Sequence, residues 1–329
     1  MSAEVAPDIA CLEGLPEYDV TWPWSPRTPS APGVPGSPAA ALAPGLTCVF
    51  RVRNEARNLP WVLPPILAAV QQVLFVDNGS DDDTVAVARR VAEECGAADR
   101  LTVLDYPHKV SRAGGEHLAT PATSVHSLTH FYNWSFSHVR TAYSMKWDGD
   151  MVLTPEGSAI LRDLSWQLEA SRAIVAMPRH PLTVVDESTG WLDLSLRFLE
   201  PWVYPMGPEF TFVKAFDWEL REFPPDTERV VLPQGLCVEV KWHDADEFAH
   251  WRTEGVDFTN TRLYRKLREF EVDRAIREGT AAELGGLRQV TAPPGVHIID
   301  HVTHTWLGEQ PRPLVTHSLP TSLRERSAR

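Results

Sequence analysis

The chain is poor in cysteine. Cys11, Cys48, Cys95 and Cys237 are scattered over 329 residues with no CxxC pair, which argues against a zinc site and for unpaired thiols in a reducing compartment. It also lacks a basic run. Its 31 Lys and Arg stand against 44 Asp and Glu, a formal net charge of −13, so an electrostatic surface for nucleic acid is not expected. No apolar stretch approaches the roughly 18 residues that span a bilayer. Met1 to Asp8 shows no basic segment followed by an apolar run, so no secretory signal is visible. These absences predict a soluble, cytoplasmic protein. No GxGxxG follows a strand-like segment, which disfavours a dinucleotide-dependent dehydrogenase, and no internal repeat is found.

What is present is an apolar fraction of 43%, enough for a large core, and a regular alternation of elements. Residues 1–44 are rich in Pro, Ala and Ser and predict an irregular arm. Leu46–Val52 and Val73–Asp77 read as strands buried on both faces, and Leu101–Asp105 as a third. Pro60–Gln72 and Asp82–Cys95 between them read as helices, the second with apolar Val85, Ala88, Val91, Ala92 and Cys95 on one stripe. Ser80 or Asp81 is its expected N-cap. Strand, helix, strand, helix, strand with short connections predicts an α/β fold with a parallel sheet covered by helices. Residues 106–125 read as loop and Thr123–Thr141 as a helix. A helix from Thr154-Pro155 towards Ser171 and a strand over Ala173–Met177 follow. Glu209–Lys214 and Leu236–Trp242 alternate like half-exposed strands. Tyr264–Glu278 reads as a charged surface helix, and Pro311–Arg329 as a loose tail.

In open α/β sheets, ligands bind beyond the carboxyl ends of the strands. Three such ends are polar here: Asn54-Glu55, Asp77-Asn78, and Asp148-Gly149-Asp150 after the strand-like Tyr143–Trp147. Each alone is ordinary turn chemistry. Together, at one edge, they form a candidate site. The hard carboxylate oxygens of Asp148 and Asp150 suit Mg2+ or Mn2+ shared with a diphosphate.

The ordered set Arg53-Asn54-Glu55-Ala56-Arg57-Asn58-Leu59, Val76-Asp77-Asn78-Gly79-Ser80-Asp81-Asp82-Asp83-Thr84 and Trp147-Asp148-Gly149-Asp150 resembles the family 2 glycosyltransferases of the GT-A fold. It covers about residues 46–155 well and 173–245 weakly. The resemblance implies a three-layer GT-A domain over 45–310, with 46–155 as its nucleotide-sugar half and 156–310 as its acceptor half. It implies a metal-dependent, inverting transfer of sugar from a UDP- or GDP-sugar to a glycan, lipid-linked or small-molecule acceptor. Arg53, Asn54, Glu55, Asp77, Asn78 and Asp148 would contact the nucleotide sugar, Asp77 at the base. Asp148 and Asp150 match the DxD pair that holds Mn2+ or Mg2+, and His243, with His250 second, is the expected late histidine ligand.

One feature departs from the family. No Glu-Asp pair follows the DxD at the usual place for the catalytic base, so Asp217 or Glu219 is expected in that role. Glu209 and Asp244-Ala245-Asp246-Glu247 remain candidates. The same gap motivates an alternative: a catalytically inactive GT-A-like protein that binds sugar nucleotides or serves as a scaffold. A sugar-nucleotide-forming nucleotidyltransferase is weaker, because it needs a glycine- and basic-rich first loop. His297, His301 and His304 alternate near a possible last strand and are expected to be structural or acceptor-side.

Overall fold

The structure is a computed structural model and describes residues 42–168, 172–195, 198–215, 218–244 and 261–306. The expected arm up to residue 41, the tail, Asp217, His250 and positions 245–247 lie outside the described residues. In chain order the elements are β1 (Ala43–Val52), α1 (Leu59–Ala69), β2 (Gln72–Asp77), α2 (Thr84–Glu94), β3 (Leu101–Asp105), α3 (Gly115–Ala119), α4 (Leu128–Ser137), β4 (Thr141–Trp147), β5 (Met151–Leu153) and α5 (Pro155–Gln167). Then come β6 (Ile174–Val184), β7 (Thr189–Asp193), β8 (Phe198–Pro205), β9 (Phe212–Lys214), β10 (Glu219–Arg221), β11 (Arg229–Val231), β12 (Cys237–Trp242), α6 (Thr261–Glu278), β13 (Leu287–Thr291) and α7 (Ile298–His301).

They fall into two compact units. The first is Met1–Gly149, Ile160–Val175 and Pro201–Val230; the second is Asp150–Ala159, Ala176–Glu200 and Val231–Arg329. In the first unit β4, β1, β2 and β3 run parallel in that order, and β8 pairs antiparallel with β4. The apolar runs of β1 and β2 are buried on both faces, as a doubly covered parallel sheet requires. Val49, Leu74 and Val76 on one face pack with Phe131 and Phe136 of α4. Phe50 and Phe75, pointing to the other face by the two-residue alternation of a strand, meet at 5.9 Å. The right-handed rule for parallel crossovers directs α1 and α2 of β1-α1-β2 and β2-α2-β3 to one face of this sheet. Buried Leu59, Val62, Leu63, Ile66 and Leu67 follow the i, i+3, i+4, i+7 spacing of an amphipathic helix.

The second unit has a mixed sheet in the order β13-β7-β6-β12-β5. Of the four pairings in that order, β6–β12 is parallel and the other three are antiparallel.

Several local expectations change. The second helix begins at Thr84 with Asp83 as its cap residue; Ser80 and Asp81 are spent on loop contacts described below. Residues 106–125 are not all loop, since α3 forms within them. The helix expected from Thr123 starts at Leu128, where the Ser127 side chain accepts the Thr129 N–H. The strand expected over Glu209–Lys214 shortens to β9. His297 accepts the Ile299 N–H as the cap of α7 rather than lying on a last strand. Spacings of four and three residues among His297, His301 and His304 are a helical period, not a strand's.

Candidate functional site

Parallel pairing puts three strand ends at one edge of the first unit. Val52 of β1 lies opposite Asp77 of β2, and Phe50 lies opposite Trp147 of β4. Asn54-Glu55, Asp77-Asn78 and Asp148 therefore leave the sheet side by side, as their order along the chain predicts.

The first two loops are laced together. Asn54 donates its N–H to Ser80 Oγ at 2.9 Å and accepts the Asp81 N–H on Oδ1 at 2.9 Å. Glu55 N donates to Thr84 Oγ1 at 2.7 Å and Ala56 N to Asp82 Oδ2 at 3.2 Å. Asp77 accepts Gly79 N and Ser80 N on Oδ2 and Ser80 Oγ on Oδ1. The acid-rich second loop thus frames the first, using side-chain oxygens as acceptors for backbone N–H groups. At the third end Gly149 makes room for the Glu55 side chain, since a Cβ there would come within 2.6 Å of Glu55 Cγ.

Beside this frame lies a cavity of about 410 Å³, lined by Arg51, Arg53, Arg112, Asn54, Asn78 and Ser111 over apolar Val52, Val110, Leu128 and Phe131. That size falls within the range of small-molecule sites. Three arginines and no acid line it, so it favours an anion. Ser111 is buried and its Oγ has no hydrogen-bond partner.

Arg51 is the central residue. Its side chain is 2% exposed, and Nη2 donates to Asp148 Oδ1 at 3.1 Å. Its guanidinium carbon sits 3.8 Å from the centre of the Tyr132 ring. Nε and Nη1 are buried without a partner. Burial works against its charge, but Tyr132, Asp148 and Glu219 outweigh burial and hold its pKa above the usual value. Arg51 lines the cavity, and its two unmet donors favour any acceptor brought to them, because each unmet buried donor costs about 1–3 kcal/mol.

Glu219, the expected base, belongs to the same charged cluster. Its side chain is 6% exposed, Oε1 lies 3.9 Å from Lys146 Nζ, and its field reaches Arg51, Tyr132 and His117. Lys146 also lies 5.8 Å from the Tyr132 ring and 5.5 Å from that of Trp202.

Asp150, first residue of the second unit, sits in a different network. Its Oδ2 accepts Lys241 Nζ at 2.6 Å; Lys241 also reaches Glu239 Oε1 at 3.1 Å, and Glu239 Oε2 pairs with Arg179 Nε at 2.6 Å. Glu239 and Lys241 are two apart on β12 and share a face. Glu239 is opposite Pro181 of β6, so Arg179, two residues before Pro181, reaches it diagonally. Burial opposes the Glu239 charge, but Arg179 and Lys241 outweigh it and hold the carboxyl far below the usual range.

His243 follows β12. Its Nδ1 is 2.9 Å from Asp273 Oδ1, whose other oxygen takes Arg277 Nε at 2.9 Å. Among the described residues, no group of three or more His, Cys, Asp or Glu is arranged to hold a metal ion. Glu209 pairs with Arg172, and Asp244 is exposed. Arg51, Arg112, Lys146, Arg179, Glu239 and Lys241 were not expected from the sequence. The available signal was a charge inside an apolar strand, as in Cys48-Val49-Phe50-Arg51 and Val238-Glu239-Val240-Lys241.

No helix among the described residues is long and apolar enough to cross a membrane. No protein-family model and no curated protein matches the chain. Among solved structures, 81% of the chain is similar to 72% of the mannosyltransferase PcManGT from Pyrobaculum calidifontis in complex with GDP-Man and Mn2+, at 17% identity and TM-score 0.36. TarS 1-349 of S. aureus in complex with UDP matches 57% of the chain at 12% identity and TM-score 0.33; this covers 60% of TarS 1-349, less than two thirds of it. Glucosyl-3-phosphoglycerate synthase from Mycobacterium tuberculosis, in complex with Mg2+ and UDP, matches 41% of the chain at 16% identity and TM-score 0.27, covering 43% of that protein. These likenesses are distant.

Proposed function

We propose that the chain is a GT-A-type glycosyltransferase that takes sugar from a nucleoside-diphosphate donor. The observation that carries this is Arg51: buried, charged, with two unpartnered nitrogens, at the wall of a cavity with two more arginines at the carboxyl edge of a parallel sheet. The donor's diphosphate is the anion that this cavity accepts. Arg51, Arg53 and Arg112 stabilise the charge that grows on the leaving diphosphate as the sugar C1–O bond breaks. An acceptor hydroxyl attacks C1 from the opposite side, with inversion, and passes its proton to the Glu219 carboxylate.

The resemblance implies Mn2+ or Mg2+ on Asp148 and Asp150, but the donor set does not fit a resident ion. Each carboxylate is already paired with a buried basic side chain. An ion at Asp150 would have to compete for that carboxylate with the Lys241 ammonium 2.6 Å away, whose positive charge opposes it. No step is therefore routed through a metal.

Isothermal titration with UDP and with GDP tests the reading. Arg53→Ala and Arg112→Ala, both at exposed positions, should weaken binding by about tenfold each, since a hydrogen bond to a charged group contributes about 1.5–3 kcal/mol. Arg51→Met should weaken it further. If neither nucleotide binds the intact protein, the reading fails.

A second reading, donor binding without transfer, draws on the burial of Glu219 against Lys146. Release of free sugar from a UDP- or GDP-sugar in water separates the two: an active centre hydrolyses slowly, and a silent one does not.

A further inference from the structure

We infer that the cavity holds a phosphate subsite whose ligands come from three separate elements: Arg51 of β1, the Ser111 hydroxyl in the loop after β3, and the amino-terminal end of α4. All three belong to the first compact unit. The inference rests on the proposed donor reading and deepens it, by naming Ser111 and the helix end as groups that receive the diphosphate oxygens.

Ser111 carries the argument. It lines the cavity and is 1% exposed, and its Oγ has no hydrogen-bond partner among the described residues. Leaving a buried hydroxyl unmet costs stability, and a bound acceptor removes that cost. The residue is also held from behind. Ser111 donates its N–H to the His126 carbonyl at 2.8 Å, and His126 Nδ1 lies 2.7 Å from the Lys109 carbonyl. Asn78 Nδ2 donates to the His108 carbonyl at 2.8 Å. The loop is thereby tied on one side to the segment before α4 and on the other to the end of β2. With its backbone N–H engaged, Ser111 has its side chain to offer.

Helix α4 contributes independently. It has ten residues and begins at Leu128. Leu128 and Phe131, its first and fourth residues, line the same cavity. The positive end of the helix dipole therefore lies at the cavity, and helix ends of this kind favour phosphate. Arg51 adds Nε and Nη1, both buried and unpartnered. A guanidinium and a helix start can only donate, and the serine hydroxyl donates when an acceptor is presented. The ligand that matches such a set is one whose charged oxygens accept, as those of phosphate do.

The probes are inorganic pyrophosphate, UDP and GDP, titrated calorimetrically in EDTA into wild type, Ser111→Ala, Arg51→Met and the double variant. Wild type should bind pyrophosphate and at least one of the nucleotides. Ser111→Ala should raise the Kd of pyrophosphate and of that nucleotide by about tenfold each, because the lost hydrogen bond is to the part they share. The double variant should lose less affinity than the product of the two single losses, since ligands of one phosphate are coupled. Without ligand, Ser111→Ala should melt no lower than wild type, because it removes an unmet buried hydroxyl. That measurement separates a ligand from a structural hydroxyl and does not depend on Arg51→Met folding. Unchanged pyrophosphate affinity in Ser111→Ala, a lowered melting temperature without ligand, or losses that simply multiply in the double variant would each overturn the subsite. If wild type binds pyrophosphate through Ser111 but neither nucleotide, the subsite stands and the donor reading fails. If nucleotide binds and Ser111→Ala leaves it untouched, the donor reading stands and the subsite fails. If wild type binds none of the three, both fail.

Discussion

Asn54 is the only non-glycine residue with positive φ among the described residues, at 59°. Asparagine tolerates this region because its short amide can bond locally, and here Oδ1 takes the Asp81 N–H. The left-handed turn aims the first loop at the second. Asn54→Gly keeps the backbone and loses only the amide, whereas Asn54→Ala loses the amide and adds Cβ strain. Alanine should therefore be the worse variant, by about 1 kcal/mol; equal urea midpoints for the two would contradict this. Gly157 offers a sharper case. A Cβ there would lie 2.2 Å from the carbonyl oxygen of Leu236, a backbone atom that cannot swing away. Gly157→Ala should cost about 1–3 kcal/mol, the usual range for overpacking, read as a shifted midpoint at constant m-value. At this scale the sequence was only partly readable. That Asp77 and Asp148 stand at strand ends follows from local pattern. That Arg51 meets Asp148, Arg179 meets Glu239 and Lys241 meets Asp150 does not, since partners 60 or more positions apart are joined by topology rather than by spacing.

Elements were more legible where the period was strong. Strand β3 falls at Leu101–Asp105 as expected, and β2 and α2 differ from expectation by a residue or two at their ends. Helix α1 shows the opposite pull: Pro64 and Pro65 lie inside it and remove two donors, yet its buried apolar face keeps it helical. α4 was placed but drawn too long, because Ser127, not Thr123, satisfies its first N–H groups. This helix and the loop after β3 carry a pH prediction. Burial holds His130 down to about 4, with His108 adding repulsion, and burial also lowers His108, His117 and His138. The folded chain favours neutral imidazole. The stabilisation is therefore present above about pH 6.5, the ordinary histidine value, and is lost as pH falls from there towards 4. A shift of this size is worth up to about 3 kcal/mol for His130. Melting temperature should drop between pH 6.5 and 5, before carboxylates titrate. His130→Gln, which keeps a polar partner for the Tyr106 hydroxyl, should flatten that slope; an unchanged slope would show that these histidines do not govern acid stability.

Over the whole molecule, a formal charge of −13 would repel an anionic donor at long range. The chain answers this locally, by lining one cavity with arginines and by cancelling its strand-end acids with buried bases. The net charge visible in the sequence pointed to local cationic help, expected there from a bound cation; in the cavity arginine side chains supply positive charge. Donor binding should be visible as stability, because a ligand that binds only the folded state adds RT ln(1 + [L]/Kd), about 2.7 kcal/mol at a hundred times Kd. For a protein of this size each kcal/mol raises the melting temperature by about 2–4 °C. Saturating UDP or GDP should thus raise it by roughly 5–10 °C. The shift should shrink in Arg51→Met, whose lost guanidinium leaves the diphosphate without its buried partner. A shift of equal size in that variant would mean the nucleotide binds elsewhere, and the cavity at the edge of the parallel sheet would not be the donor site.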